Sequence, residues 1–387
     1  MPRRRLEAGG GRGGSVSFDV AIVGAGIVGL AHALIAARRG KRVVVIERNA
    51  RAVGASVRNF GFVTVTGQQY PECWLRARRS AEIWREIAGP AGIENLHSGL
   101  MLAARVPESL AVLEAFRAHD MGEACELLTP EAALGRLPAL RADGLLGALW
   151  SPHERRVESR TAIPALAAWL AEEHGVTFRW STSVSAAEPP VLESSAGRIE
   201  AETCIVCPGD DRVSLFADRI GHYGLTGCKL QMLRVRPPEG VTLNMGVMSD
   251  LGLVRYLGYS ELPEAAALKT RLQAERADAL ANGVHLIAVQ SADRTWVVGD
   301  SHHYHETPDP FGSEAVDALI LDELVAVLDM PRPRVLERWT GTYSSAPDRL
   351  AFIDRPSEAV RVVMVTSGTG ASTAFAIAEE VMDELFA

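Results

Sequence analysis

Three glycines carry the clearest chemical signal in the chain. Val20-Ala21-Ile22-Val23-Gly24-Ala25-Gly26-Ile27-Val28-Gly29 places G-x-G-x-x-G between an apolar run and a helix-like segment. In such a pattern Gly24 permits a tight turn, Gly26 lets the backbone approach a pyrophosphate, and Gly29 lets the helix close on the strand. Ala25 and Ile27 lie in the same turn. The helix start offers free N–H groups and a partial positive charge to phosphate. Glu47 ends the next strand, roughly 20 residues on, where an acid binds ribose hydroxyls. The chemistry is dinucleotide binding.

A second glycine turn lies near the other end. Val362-Val363-Met364-Val365-Thr366 runs into Ser367-Gly368-Thr369-Gly370-Ala371 and then a helix. The first motif alone does not separate NAD from FAD. A flavin is long and needs a second docking surface for its ring, and Gly368 and Gly370, with Thr369 between them, suit its close approach. The expected cofactor is FAD.

The densest polar cluster is Ser301-His302-His303-Tyr304-His305. His303 and His305 are spaced for one face of a strand, but no further ligand follows at metal spacing, so no metal is expected. Asp300 and Glu306 read as ordinary loop acids. His302, His303 or Tyr304 could line a pocket and assist a proton transfer; the alternative is a solvated hairpin loop.

These residues need elements to hold them. Phe18–Val23, a helix over 27–39 stopped by Gly40, and Lys41–Glu47 form a strand–turn–helix–strand unit, the last strand a β-branched run of the kind buried on both faces. Residues 54–68 read as a loop or broken segment. Helices are expected over 71–88, 107–119, 161–174, 315–328 and 372–386, and strands over 99–106, 145–150, 176–180, 199–207, 231–236 and 362–366. Residues 285–290 and 295–299 look like a hairpin pair. The expected fold is α/β: a Rossmann-type FAD-binding domain with an inserted α+β substrate domain on an antiparallel sheet. The expected division is a disordered tail at 1–17, FAD-binding parts at 18–98, 145–224 and 336–387, and substrate-domain parts at 99–144 and 225–335.

Bulk properties narrow the class. A chain of 387 residues with 47% hydrophobic and 23% charged side chains suits a globular enzyme of more than one domain. A net charge of −8 gives no footprint for nucleic acid. No stretch reads as a membrane span. Five sparse cysteines fit a reducing cytoplasm rather than a disulfide framework. Cys204 and Cys207 form a CxxC on a strand, where positions three apart face opposite sides, so two core residues are expected rather than a redox pair.

The chain resembles the D-amino-acid oxidase superfamily of flavoproteins, which includes glycine oxidase and sarcosine oxidase. The resemblance rests on Gly24 to Gly29, Glu47-Arg48, Gly54-Ala55-Ser56, Cys207-Pro208-Gly209, Trp339-Thr340-Gly341 ahead of Pro347-Asp348, and Ser367-Gly368-Thr369-Gly370. Within it, Gly54 to Gly61, Cys228 to Met232 and Gly299 to Tyr304 are most similar to a bacterial branch associated with phosphonate catabolism. That resemblance implies oxidation of a small amine, amino-acid-like or an aminophosphonate, to an imine that hydrolyses to a carbonyl compound, with oxygen or another acceptor taking the electrons. It implies that Arg48 joins the ADP site, that Ala55 and Ser56 lie by the pyrophosphate, and that Arg58, Asn59, Phe60 and Gly61 run near the flavin ring. Gly209 belongs to the same cofactor set. Sarcosine oxidases hold flavin through a C-terminal cysteine; the last cysteine here is Cys228, so non-covalent FAD is expected.

An acidic substrate head needs a cationic anchor. Arg58, with Asn59 beside it, is placed first by its loop. Arg255 and Tyr256 could grip an acid together. By analogy with related amine oxidases, Lys229 could face the flavin. Two other classes compete: a nicotinamide-dependent dehydrogenase, and a non-catalytic partner subunit that keeps the fold.

Overall fold

A computed structural model describes residues 17–386. The expected tail at 1–17 lies outside it, Ser17 apart. Two sheets build the molecule.

The first sheet has eight strands. Its central five are parallel and run in the order Val360–Val365, Gly197–Val206, Phe18–Val23, Val43–Ile46, Thr177–Arg179. Ala351–Ser357 pairs antiparallel at one edge. Val43–Ile46 is buried along its whole length, as a parallel strand covered on both faces must be. Helices Ile27–Arg38, Glu72–Ile87, Ser159–His174 and Gly370–Phe386 pack together on one face. The other face carries a smaller core of Phe18, Ala21, Val44, Ile46, Cys204, Val206 and Phe352. Cys204 belongs to that core and Cys207 to the larger one, so the two cysteines do face opposite sides.

The second sheet has ten strands of mixed direction. Its spine runs His303–His305, Thr226–Arg236, Trp296–Gly299, Ile287–Gln290, Gly246–Met248, Asn95–Ala104, Gly147–Val157, Phe62–Val63. Arg334–Ser345 lies along the free side of Thr226–Arg236. The pair Gly246–Met248 with Asn95–Ala104 is parallel, and every other pair is antiparallel. The hairpin 287–290 with 296–299 forms as expected.

Residues 54–68 are the broken segment rather than plain loop, with a 3-10 turn at Ala55–Val57 and the short strand Phe62–Val63. Several elements differ from expectation. Trp339-Thr340-Gly341 sits inside a twelve-residue strand whose mixed polarity hid it. That strand and Gly147–Val157, both expected on the nucleotide side, lie in the second sheet. An apolar strand pattern reports burial and does not report which sheet buries it. The helix Ala265–Glu275 also went unread, because few of its positions meet the core. None of the described helices is long and apolar enough to cross a membrane.

Gly61 shows a local constraint on the fold. Its φ is +64°, and a Cβ there would lie 1.8 Å from the Val157 carbonyl oxygen. Only glycine lets this loop close on strand Gly147–Val157, and Gly61 owes its identity to that packing. Gly61→Ala should cost about 1–3 kcal/mol of stability, read as a lowered urea midpoint; an unchanged midpoint would show that the loop relaxes freely.

Candidate active site

The parallel strands end at one edge, and the cleft opens there. Its wall begins with Gly26, Ile27 and Gly29 of the first helix and with Ala55 and Ser56 of the following loop. Gly209, after strand Gly197–Val206, adds a second side. Gly368, Thr369 and Gly370, after strand Val360–Val365, add a third. The cleft then runs on to Arg255, Tyr256, His285, Asp300, His302 and Tyr343, on or beside the second sheet.

The dinucleotide turn has the expected construction. A Cβ on Gly29 would lie 1.9 Å from the Gly24 carbonyl oxygen, so only glycine allows the helix this close. The first helical residues carry no acidic side chain and Gly26 makes no side-chain cap, so the one side-chain acceptor at the first helical N–H comes from the following loop. Ser56 Oγ accepts from the Ile27 N–H at 2.9 Å. Glu47 Oε2 accepts from the Ala25 N–H at 3.0 Å, and its Oε1 from the Asn49 N–H at 2.9 Å. These bonds fix the acid beside the turn. Arg48 is exposed and pairs with Asp211 at 2.7 Å. Gly24, Ala25, Glu47, Arg48 and Gly61 shape or flank the cleft without lining it. The long cleft, lined by both glycine turns where close backbone approach is possible, fits FAD.

Two arginines were expected as candidate anchors for an acidic head, and they are placed differently. Arg58 lines the cleft, but it is exposed, and its guanidinium donates to the Val53 carbonyl at 2.7 Å and the Thr340 carbonyl at 3.5 Å. Asn59 also spends its amide on its own loop, donating to the Ala55 carbonyl and accepting from the Gly61 N–H. Arg255 instead points inward. Its Nη2 donates to the Tyr304 hydroxyl at 3.2 Å. Burial works against its charge, but Tyr343, Tyr304 and Asp300 outweigh burial and hold its pKa above the usual arginine range. Arg255 is therefore a fixed cation facing the cleft.

Lys229 does not reach the cleft. Strand Thr226–Arg236 alternates, so Leu230 faces the cleft while Lys229 turns away and donates to Asp309 Oδ2 at 2.8 Å and the Phe311 carbonyl at 3.0 Å. Tyr304 is 47% exposed and does not line the cleft; its hydroxyl accepts from Arg255. His303 pairs with Asn282 outside the cleft.

The polar residues that the sequence did not single out are Asp300, His285 and Tyr343. Asp300, read as a loop acid, is only 4% exposed, because its backbone bonds to His285 continue the hairpin inward. Burial lifts its carboxyl to about 7, with Arg255 pulling the other way. His285 Nδ1 lies 3.4 Å from Asp300 Oδ1, and His302 Nε2 3.8 Å from Asp300 Oδ2. Burial first, and Arg255 second, push both histidines well below the usual range, so both are neutral. The Tyr256 hydroxyl is 3.2 Å from His285 Nε2, and burial raises its pKa. The ligand atoms of His285, Asp300 and His302 all lie within 4.8 Å of one another, but Arg255 already faces the carboxyl as the local cation, and we assign no metal role. The hairpin carried the one readable signal, since pairing 285–290 with 295–299 brings His285 against Asp300.

Comparison with known proteins follows this geometry. The family model for FAD-dependent oxidoreductases of the DAO type matches residues 19–384, and the chain belongs to that family. The chain is 29% identical over 209 residues to the glycine oxidase of Geobacillus kaustophilus, a match covering 50% of this chain and 54% of that protein. It thus spans about half the length of that curated relative. The L-proline dehydrogenase structure from P. horikoshii aligns with a TM-score of 0.76 at 20% identity, covering 96% of this chain and 94% of the other. The glycine oxidase structure from Geobacillus kaustophilus aligns with a TM-score of 0.72 at 21% identity, covering 95% and 94%. At such identities these likenesses define the fold. It is the expected α/β architecture with a Rossmann-type FAD-binding unit, and the cofactor is FAD.

Asp300 makes stability depend on pH. Its folded pKa is raised from 3.8 to about 7. Between those values the unfolded chain has released a proton that the folded chain keeps, so stability falls as pH rises through this window. Asp300→Asn should therefore match the wild type near pH 4 and exceed its Tm above pH 7; an equal Tm difference at both pH values would refute the buried-acid assignment.

Proposed function

We propose that the protein oxidises a small primary or secondary amine bearing an acidic group, amino-acid-like or an aminophosphonate, to an imine that hydrolyses to a carbonyl compound. The observation that carries this reading is Arg255, a guanidinium held in the same cleft as both glycine turns. The relative named glycine oxidase and the neighbour named L-proline dehydrogenase carry amino acids in their names, and an amino acid offers such a cation a carboxylate.

Bound FAD supplies the acceptor for the hydride leaving the carbon beside nitrogen. The chain's residues bind and orient. Gly24, Ala25, Gly26, Ile27, Gly29 and Glu47 would hold the ADP half, with Arg48 at its rim. Ala55 and Ser56 would flank the pyrophosphate. Gly209, Gly368, Thr369 and Gly370 would meet the rest of the cofactor. All five cysteines are free and buried, in keeping with non-covalent FAD and a reducing compartment such as the cytoplasm. Oxygen or another acceptor would then take the electrons.

Arg255 would grip the acidic head as a planar donor fork, with the hydroxyls of Tyr256 and Tyr343 lining the same end of the cleft. A phosphonate offers one more oxygen and one more charge to that fork than a carboxylate, which is the physical case for the aminophosphonate. Arg58, with its guanidinium committed to loop carbonyls, ranks second as an anchor.

The test is anaerobic bleaching of the flavin by 2-aminoethylphosphonate, its N-methyl derivative, glycine, sarcosine and D-alanine. Bleaching by the phosphonates alone supports the finer substrate class. Bleaching by amino acids alone keeps amine oxidation and rejects the phosphonate. Arg255→Lys should raise KM for the reactive amine roughly 30-fold or more, about 2 kcal/mol of charge-assisted hydrogen bonding. Arg58→Lys should change KM by less than about 5-fold. The reverse ranking would move the anchor to Arg58.

A further inference from the structure

At the inner end of the cleft two polar atoms are buried without a hydrogen-bond partner among the described residues: His285 Nδ1 and Asp300 Oδ1. They face each other at 3.4 Å. Such atoms are costly to bury unless something else engages them. His302 Nδ1 lies 3.0 Å from the Gly283 carbonyl oxygen, which can only accept. The proton of neutral His302 therefore sits on Nδ1, and Nε2 turns a lone pair toward Asp300. His285 is held from its other side by the Tyr256 hydroxyl. Asp300 is thus clasped between two neutral rings while lining the cleft that Arg255 also lines.

A substrate that brings an acidic head to Arg255 also brings an amine, which in water is an ammonium. An ammonium has no lone pair to assist loss of hydride from the neighbouring carbon, so one proton must leave first. We propose that Asp300 takes this proton, and that His285 and His302 are positioning residues for its carboxyl. This rests on the amine-oxidation reading above. The transfer balances simply: an N–H bond of the ammonium breaks, an O–H bond of Asp300 forms, and a buried ion pair becomes a neutral amine beside a neutral acid. No electrons move in this step.

The surroundings favour that transfer. Burial penalises the carboxylate and makes it willing to accept a proton, while Arg255 keeps it from being protonated too early. The other groups close to it carry no charge. Tyr256 and Tyr343 are held above the usual tyrosine range by burial, and His285 and His302 are neutral. Cys228, on strand Thr226–Arg236, is raised to about 11 by burial and stays a thiol. His303, one residue beyond His302, is lowered by burial and by Lys229. Asp300 is therefore the acid of this group that changes charge near neutrality.

The experiment uses the FAD-loaded full chain and the amine that bleaches it fastest. The anaerobic rate at limiting substrate is followed from about pH 6 to about pH 9. The wild type should show a rising limb with a midpoint at about 7. Asp300→Asn should lose that limb and climb steadily toward the amine's own pKa, slower by roughly 10²-fold near pH 7.5 and converging at high pH. Asp300→Glu should restore a limb. A second readout needs no turnover: the infrared C=O stretch of a protonated carboxyl should fade as pH passes about 7 and be missing from Asp300→Asn. Bleaching whose pH profile is unchanged in Asp300→Asn overturns the proton role alone. Failure of every amine to bleach the wild type overturns the amine-oxidation reading and the proton role with it.

Discussion

Three neighbouring parallel strands point their carboxyl ends to one edge, and the site depends on that alignment. In the first sheet Val360–Val365, Gly197–Val206 and Phe18–Val23 lie side by side, with Val206 opposite both Val23 and Val362. Parallel pairing forces all three carboxyl ends to one edge, where ligands of open α/β sheets bind. Each end is followed within a few residues by a glycine of positive φ: Gly24, Gly209 and Gly368. Three distant stretches of sequence therefore become three backbone walls. None of them needs a side chain to approach a cofactor.

The second sheet supplies what backbone cannot. Its strands and the residues flanking them bring Tyr343, His285 and Asp300 to the far end of the cleft, while Arg255 and Tyr256 come from the link between the 3-10 turn Asp250–Val254 and the helix Leu257–Ser260. Strand Arg334–Ser345 carries Tyr343 beside Cys228, and the hairpin of residues 287–299 carries His285 and Asp300 at its base. The two sheets divide the work by chemical type. The parallel one offers N–H groups and shape, and the mixed one offers titratable side chains.

This division explains what was legible in the sequence. The nucleotide turn was readable because its cause is local: a tight turn, a close helix and an acid at fixed spacing each demand particular residues within thirty positions. The C-terminal glycine turn was readable for the same reason. Arg255 and Tyr256 read as a pair that could grip an acid but rank beneath Arg58 in the sequence, because what separates them is whether the guanidinium is already spent. Arg58 is spent on Val53 and Thr340, the latter 282 positions away. Lys229 was misplaced by analogy; strand parity, which sends Leu230 into the cleft, decides the matter. Asp300 was missed because an acid after a glycine at a strand end looks like solvent-facing loop, and burial is a property of the assembled fold.

Burying Asp300 at the cleft carries a cost for the fold. A lone carboxylate in that place would be expensive, and the structure answers in two ways at once. It lets the carboxyl keep a proton to near neutrality, and it puts Arg255 close enough to favour the charged form again. The two effects oppose each other, and their balance leaves the group able to exist in either state. Hydrophobic cores avoid such indecision, because a group that can switch charge weakens the pH range over which the fold is most stable. Its presence where the flavin cleft meets Arg255 places that cost in stability at the position proposed for proton transfer.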